Sequence, residues 1–371
     1  MRYFLSSGEA SGELAATLIA QAIRRIDPQA QFEGIGAARM RESGVELWRD
    51  HTGWASMGPL AAIPRIPRLL LTMLRTARHV AQSKPDLVIL VDFGAFNIRL
   101  AKRLRAIGYG GPILDVFPPA TWLDRENIAR IVASIATPLT AFAHQRDFYR
   151  SLGLPIAYFG HPLAEQYMLR APREAPPLDG GTVALLPGSR AGELRFHVPR
   201  LFAAFKELRA RRPHLRGIAG AADARAEKQL RAAVQGDRIA DAVQIVRGTR
   251  DAIAQADAAW VASGTAVLEC ALSGVPAVAL YVINPILVNH ARRVYTGRFI
   301  TLPNLVLDRE VVPEFQQEDA TPHNLAQAMD AVLRDPLAQY REFERLREAL
   351  GPPDALEQCA AYAVQLAKGA A

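Results

Sequence analysis

Short apolar runs alternate along this chain with stretches whose apolar residues recur at helical spacing. Arg2–Ser6 reads as a buried strand, and Leu14, Leu18, Ala22 and Ile26 then mark one face of an amphipathic helix, widened by Ile19 and Ile23. Further strands are predicted at Phe32–Gly36, Leu87–Val91, Pro112–Phe117, Ser134–Phe142 and Ile156–Phe159. A second series opens at Val183–Leu186 and continues through Gly217–Ala219, Val243–Val246, Asp257–Ala262 and Val275–Tyr281. Helices are predicted at Leu201–Arg209 and near Asn324–Leu333, Leu337–Leu350 and Ala355–Lys368. Strands alternating with helices imply an α/β fold with doubly wound parallel sheets. Residues 171–181 (A-P-R-E-A-P-P-L-D-G-G) lack apolar period and read as a linker. The expected organisation is therefore an N-terminal domain over 1–170 and a C-terminal domain over 182–350. A last helix in 351–371 is placed as a crossover back to the first domain.

Candidate chemistry sits where strands end. Val183–Glu193 reads V-A-L-L-P-G-S-R-A-G-E, a buried strand feeding a glycine turn and a helix start. Free N–H groups and the helix dipole make such a turn an anion site, Gly188 allows close approach, and Arg190 adds a planar charge beside Ser189. An ordinary strand-turn-helix connection reads the same way. The turn A-S-G-T-A-V-L-E (Ala262–Glu269) repeats the arrangement, with Ser263, Gly264 and Thr265 offering hydroxyl and N–H groups and Glu269 one helical turn on. In the first half, Gly8–Glu13 (G-E-A-S-G-E) and Asp92–Asn97 (D-F-G-A-F-N) follow strands in the same manner, at the edge where open α/β sheets bind ligands.

Trp54–Arg78 is different in kind. Met57, Leu60, Ile63, Ile66, Leu69–Leu71, Met73 and Leu74 are interleaved with Arg65, Arg68, Arg75 and Arg78, and no acid occurs between Asp50 and Asp86. That pattern suits an element lying on an anionic lipid surface, or a core helix whose arginines snorkel. Pro64 and Pro67 are expected to break any single long helix. The net charge of +7 favours an anionic partner. Nucleic acid ranks low, because the arginines sit among aliphatic rather than stacking aromatic residues. Cys270 and Cys359 show no metal-ligand spacing and fit reduced thiols in a cytoplasmic protein. No signal peptide or membrane-spanning run is visible.

Taken together, the motifs resemble those of the lipid-A-disaccharide synthase family, inverting glycosyltransferases of the two-Rossmann (GT-B) type. The matching pieces are S-G-E-A-S-G-E at 7–13, M-G at 57–58, D-x-x-x-F-N at 92–97, G-H-P at 160–162, L-L-P-G-S-R-A-G-E at 185–193, A-S-G-T-A-V-L-E at 262–269, L-P-N-L at 302–305 and Q-E at 317–318. The resemblance implies two facing Rossmann-like domains and transfer of diacylglucosamine from UDP-2,3-diacylglucosamine to 2,3-diacylglucosamine 1-phosphate. It implies a UDP site at Gly188, Ser189, Arg190, Ser263, Gly264, Thr265 and Glu269, and a sugar and acceptor cleft lined by Glu9, Ser11, Gly12, Asn97 and Asn304. Met57, Leu60, Arg65, Arg68, Leu69 and Arg75 would meet the acyl chains and an anionic membrane surface, with the protein peripheral at the inner face of the cytoplasmic membrane. No metal or cofactor is implied. The family loop usually carries a second aspartate, proposed as general base, where this chain has Ala95. A glutamate usual after M-G falls near Ala61-Ala62, and the family's S-P-S-x-W-A-W stretch reads F-P-P-A-T-W-L-D at Phe117–Asp124. Asp92 is the nearest remaining carboxylate for the base, with Glu9 as the alternative, and the resemblance adds Asn304 to the catalytic set. A diverged relative with another acceptor, and a non-catalytic UDP-sugar or lipid-binding relative, remain open.

Overall fold

The computed structural model describes residues 1–52, 54, 66–119, 123–167, 175–295 and 297–369. It divides into two compact units, one of Met1–Gln166 with Leu350–Ala371, the other of Tyr167–Ala349.

Unit one is built on seven parallel strands: β1 (Arg2–Ser6), β2 (Gln31–Gly36), β3 (Glu46–Asp50), β4 (Leu87–Val91), β5 (Ile113–Val116), β6 (Thr137–Thr140) and β7 (Ala157–Tyr158). Their order is β3-β2-β1-β4-β5-β6-β7. The central strands need both faces covered, which is why β4 is an unbroken L-V-I-L-V run with every residue buried. Helix Ala10–Ile26 packs against Ala38–Glu42 and Ala355–Ala367, while helix Ile66–Ser83 packs against Gly94–Ala106. Phe4, Ile35, Met73, Ala77, Val80, Val88, Leu90, Leu100 and Leu104 belong to one buried cluster between sheet and helices.

Unit two carries six parallel strands: β8 (Thr182–Leu186), β9 (Arg216–Ala221), β10 (Val243–Arg247), β11 (Ala258–Ala262), β12 (Ala277–Tyr281) and β13 (Glu314–Gln316), ordered β10-β9-β8-β11-β12-β13. Helices Ala191–Arg211 and Pro322–Arg334 pack on each other and close the core around Trp260 and Phe205. Buried Arg212 donates to Asp330 Oδ1 at 2.7 Å and to the carbonyls of Pro177 and Gly180 at 3.2 Å. It thereby fastens the end of the Pro/Gly-rich segment to the domain it introduces.

The structure corrects several sequence expectations. Ser134 and Ile135 finish helix Glu126–Ile135, and only Thr137–Thr140 is strand. The first helix of unit two starts ten residues before Leu201, and Pro199 lies inside it. Pro67 does not break helix Ile66–Ser83, because it occupies the first turn, where no amide partner is lost. Pro64 lies outside the described residues, as do 171–174 of the expected linker. In both units the strand order reverses once, between β1 and β4 and between β8 and β11. Those two switch points set the sites.

Candidate active site

At the unit-one switch point, the loops after β1 and β4 meet. A Cβ on Gly12 would lie 3.1 Å from the Val91 carbonyl and 3.4 Å from Asp92 Cβ, so the start of helix Ala10–Ile26 comes close to the end of β4, and a larger residue would push them apart by a few tenths of an ångström. Asp92 and Phe93 turn the chain with φ of 52° and 50°, two successive non-glycine residues in the left-handed region. Such residues cost roughly 1–3 kcal/mol each and persist only where their surroundings hold them. Asn97 does the holding. Its side-chain amide donates to the carbonyls of Asp92 at 2.7 Å and Ser6 at 3.2 Å, while its oxygen accepts from Ser6 Oγ at 2.7 Å.

Asn97 is therefore fully buried and occupied within the fold, not lining a cleft as the resemblance implied. Glu13 is likewise internal, accepting from the Ala37 and Met40 amides at 2.9 and 3.1 Å. Glu9 at the helix N-cap and Ser11 in the first turn are half-buried, and Ala95 is exposed. His161 of the G-H-P stretch is packed near the Phe117 and Phe142 rings, and burial pushes its imidazole down to about 4.

One carboxyl here escaped the sequence reading as a site residue. Asp115 stands in β5 opposite Leu90, on the sheet face shared with Val88 and Ile113, and is buried. The signal was present: a lone acid in the apolar run I-L-D-V. Burial, and after it the charge of Asp92, pushes the Asp115 carboxyl up to about 8. The Tyr149 hydroxyl, raised by burial and by Asp115, has no hydrogen-bond partner among the described residues.

At the unit-two switch point the turn Pro187–Arg190 opens helix Ala191–Arg211, and Gly188 takes φ of 101°. The N–H groups expected to be free are already bonded. Ser189 N and Arg190 N donate to Glu193 Oε2 at 3.0 and 3.1 Å, and the Arg190 guanidinium donates to Glu193 Oε1 at 2.9 Å. Glu193 thus caps the helix with its own carboxylate, an internal anion on the anion-binding turn. Ser189 is exposed and Arg190 partly so.

The neighbouring turn is held from behind. Ser263 Oγ donates to the Ile300 carbonyl at 3.0 Å, Gly264 is exposed and Thr265 half-buried, and Glu269 accepts from Tyr167 Oη at 2.8 Å. Asn304 is fully buried, with its amide donating to Val312 O and Glu314 Oε1 and its oxygen accepting from the Val311 and Val312 amides. Its side chain is spent on the loop rather than presented to a sugar. Glu314, absent from the sequence reading because β13 is only three residues long, also accepts from Ile300 N, Thr301 N and Thr301 Oγ1.

Of the proposed lipid-facing residues, Met57, Leu60 and Arg65 lie outside the described residues. Helix Ile66–Ser83 buries Met73, Thr76, Ala77 and Val80 and leaves Ile66, Leu70 and Leu71 about half exposed (54%, 49% and 47%). Arg68, Arg75 and Arg78 are exposed with them, and Leu69 is half-buried. Among the described residues no helix is long and apolar enough to cross a membrane.

Two parallel α/β units, with sheets of seven and six strands, make a GT-B-like fold. Solved structures of that fold match the whole chain. One is UDP-GlcNAc 2-epimerase from Neisseria meningitidis bound to UDP-GlcNAc (TM-score 0.64, 10% identity, covering 98% of this chain and 100% of that one). Another is the calicheamicin glycosyltransferase CalG4 (TM-score 0.59, 13% identity, covering 97% of each). A family model described as lipid-A-disaccharide synthetase matches residues 3–355. The lipid-A-disaccharide synthase of Myxococcus xanthus (strain DK1622) is 36% identical over 338 residues, 89% of this chain and 88% of that protein. Its counterpart in Azotobacter vinelandii (strain DJ / ATCC BAA-1303) is 33% identical over 379 residues, 100% and 99% of the two chains. The chain belongs to the lipid-A-disaccharide synthase family and is an enzyme, a glycosyltransferase of lipid A biosynthesis.

The buried Asp115 carboxyl makes stability depend on pH. Its folded value lies above that of an unfolded aspartate, ~3.9, so the stability it contributes is complete in acid and lost as pH rises towards 8. His161 acts oppositely, contributing stability above ~6.5 that is lost as pH falls towards about 4. Between pH 6.5 and 8, Asp115 should therefore dominate. Urea unfolding of the wild type should weaken there by up to ~1.4 kcal/mol per pH unit, and Asp115→Asn should flatten that slope. Equal slopes in the two proteins would show that Asp115 is ionised throughout.

Proposed function

We propose that the chain transfers diacylglucosamine from UDP-2,3-diacylglucosamine to the 6-hydroxyl of 2,3-diacylglucosamine 1-phosphate, giving lipid A disaccharide 1-phosphate and UDP. The observation that carries this reading is the contrast between the switch points: one offers a carboxylate, the other a guanidinium and a helix N-terminus. In the reaction, the acceptor oxygen attacks the anomeric carbon from the face opposite the diphosphate. The C–O bond to the β-phosphate breaks, the hydroxyl proton passes to Asp92, and the bond electrons leave with UDP. Held by the strained turn, Asp92 is the base, with Glu9 at the adjoining N-cap as the alternative. The diphosphate takes the place of the Glu193 carboxylate at the Ser189 and Arg190 amides, and Arg190 and the helix dipole stabilise its charge. Gly188, Ser263, Gly264, Thr265 and Glu269 complete the UDP site. Ser11 and Gly12 adjoin the acceptor, whereas Asn97 and Asn304 shape their loops from beneath.

A second reading has one observation in its favour. Ala95 stands exposed where the family's second aspartate is usual, so the acceptor hydroxyl could belong to another phosphorylated glycolipid. Purified protein given UDP-diacylglucosamine and the sugar 1-phosphate should release UDP and form the disaccharide; UDP release only with a different acceptor would favour the second reading. In the same assay Asp92→Asn should lower turnover by ~10²–10⁴-fold, the usual contribution of a positioned base, while UDP still binds. Undiminished turnover would pass the role to Glu9.

The exposed end of helix Ile66–Ser83 supports peripheral attachment to an anionic membrane, with Leu70 and Leu71 entering the interface and the arginines meeting headgroups. Replacing Arg68, Arg75 and Arg78 by Gln should weaken binding to phosphatidylglycerol-containing vesicles by roughly tenfold or more, and high salt should mimic the change. Vesicle binding indifferent to both would remove this helix from the membrane contact.

A further inference from the structure

His197 lies seven residues beyond Arg190, on helix Ala191–Arg211, and is fully buried. Its Nε2 is 3.0 Å from the Val282 amide, and its Nδ1 is 2.8 Å from the Pro187 carbonyl. An amide can only donate and a carbonyl only accept, so Nε2 must be the unprotonated nitrogen and Nδ1 must carry the hydrogen. The ring is therefore neutral, and burial holds its pKa below the ordinary histidine value.

The two groups it joins end different strands. Pro187 follows β8 and leads directly into Gly188-Ser189-Arg190, while Val282 follows β12 and leads into helix Pro285–Val294. Strand β11 lies between β8 and β12 in the sheet, and its turn is tied to β12 by Ser263 N donating to Leu280 O at 2.9 Å. One imidazole thus links the loops on both sides of the Ser263–Thr265 turn. Both bonded groups are buried with it: Pro187 is buried, and Val282 is 4% exposed. Core packing alone would be served by a leucine at this position. Two well-formed hydrogen bonds to loop backbone are not required for packing, and they fix the carbonyl adjoining the phosphate turn.

We infer that His197 is a positioning residue for the donor diphosphate, fixing the Pro187–Arg190 turn against the end of β12 so that its donors are aligned before UDP arrives. The inference rests on the reading of that turn as the UDP site. It acts through loop geometry, since the ring itself is sealed from any ligand.

The test is calorimetric titration with UDP of the wild type, His197→Leu, His197→Asn and Arg190→Ala, each confirmed folded by its circular dichroism at the titration temperature. His197→Leu removes both bonds, and its UDP dissociation constant should rise roughly tenfold, the scale of one hydrogen bond lost. His197→Asn can place an amide N–H where Nδ1–H stood, so it should recover part of the affinity by restoring the Pro187 contact. That recovery separates positioning from mere stabilisation, which would change the melting temperature and leave UDP affinity alone. Should His197→Leu fail to fold, the Asn variant still decides, with weakening between twofold and tenfold expected. Weaker binding by Arg190→Ala together with wild-type affinity in the folded His197 variants would overturn this inference alone. Wild-type affinity in Arg190→Ala would overturn the donor-site reading, and this inference with it.

Discussion

Strand order reverses once in each parallel sheet, and both candidate sites follow from that constraint. Successive crossovers on one side of the reversal carry the chain away from those on the other, so the loops leaving the two central strands part and leave room for a ligand. Gly12 against the Val91 carbonyl shows how closely the backbone is drawn in at the first of those points, and Gly188 leaves room for the Glu193 side chain at the second. The chemistry then differs because the residues differ. Unit one sets a strained Asp92 beside a buried Asp115, and unit two sets Arg190 at the start of a 21-residue helix.

The turns at the two switch points are also held by the same means, polar side chains bonded to loop backbone. Asn97 holds the Asp92–Phe93 turn, Glu193 caps the turn at Ser189 and Arg190, and Glu314 with Asn304 gathers the 300–312 loop behind Ser263. Each gives hydrogen bonds to backbone groups of a turn or loop, and a typical bond of this kind contributes roughly 0.5–1.5 kcal/mol. The strain at Asp92 is sustained in this way.

This division between presented and supporting residues limits what the sequence could reveal. Strand β4 was legible to the residue because a fully buried strand is a continuous apolar run bounded by turn signals, and β1 because its apolar centre Tyr3–Leu5 precedes a glycine turn. Strand β3 (E-L-W-R-D) and strand β13 (E-F-Q) were not, being sheet-edge strands that are largely half-exposed and polar. The turns at Gly8–Glu13, Asp92–Asn97, Pro187–Arg190 and Ser263–Thr265 were legible from glycine and small polar residues after such runs. Which of their polar groups point outward was not. Asn97 and Asn304 looked like ligand groups and are internal, whereas Asp115 and His197, which the sequence reading did not single out, are buried polar groups near the two turns. Burial of a polar side chain is decided by neighbours far along the chain, as with Asn97 and Ser6, 91 residues apart.

The central claim is that UDP binds at the unit-two switch point, its diphosphate taking over the donors now satisfied by Glu193. Hydrogen–deuterium exchange with and without UDP tests it most directly. Slower exchange confined to 186–195 and 262–270, with 87–97 unchanged, is the predicted result. Protection absent from those two turns, with UDP bound, would contradict it.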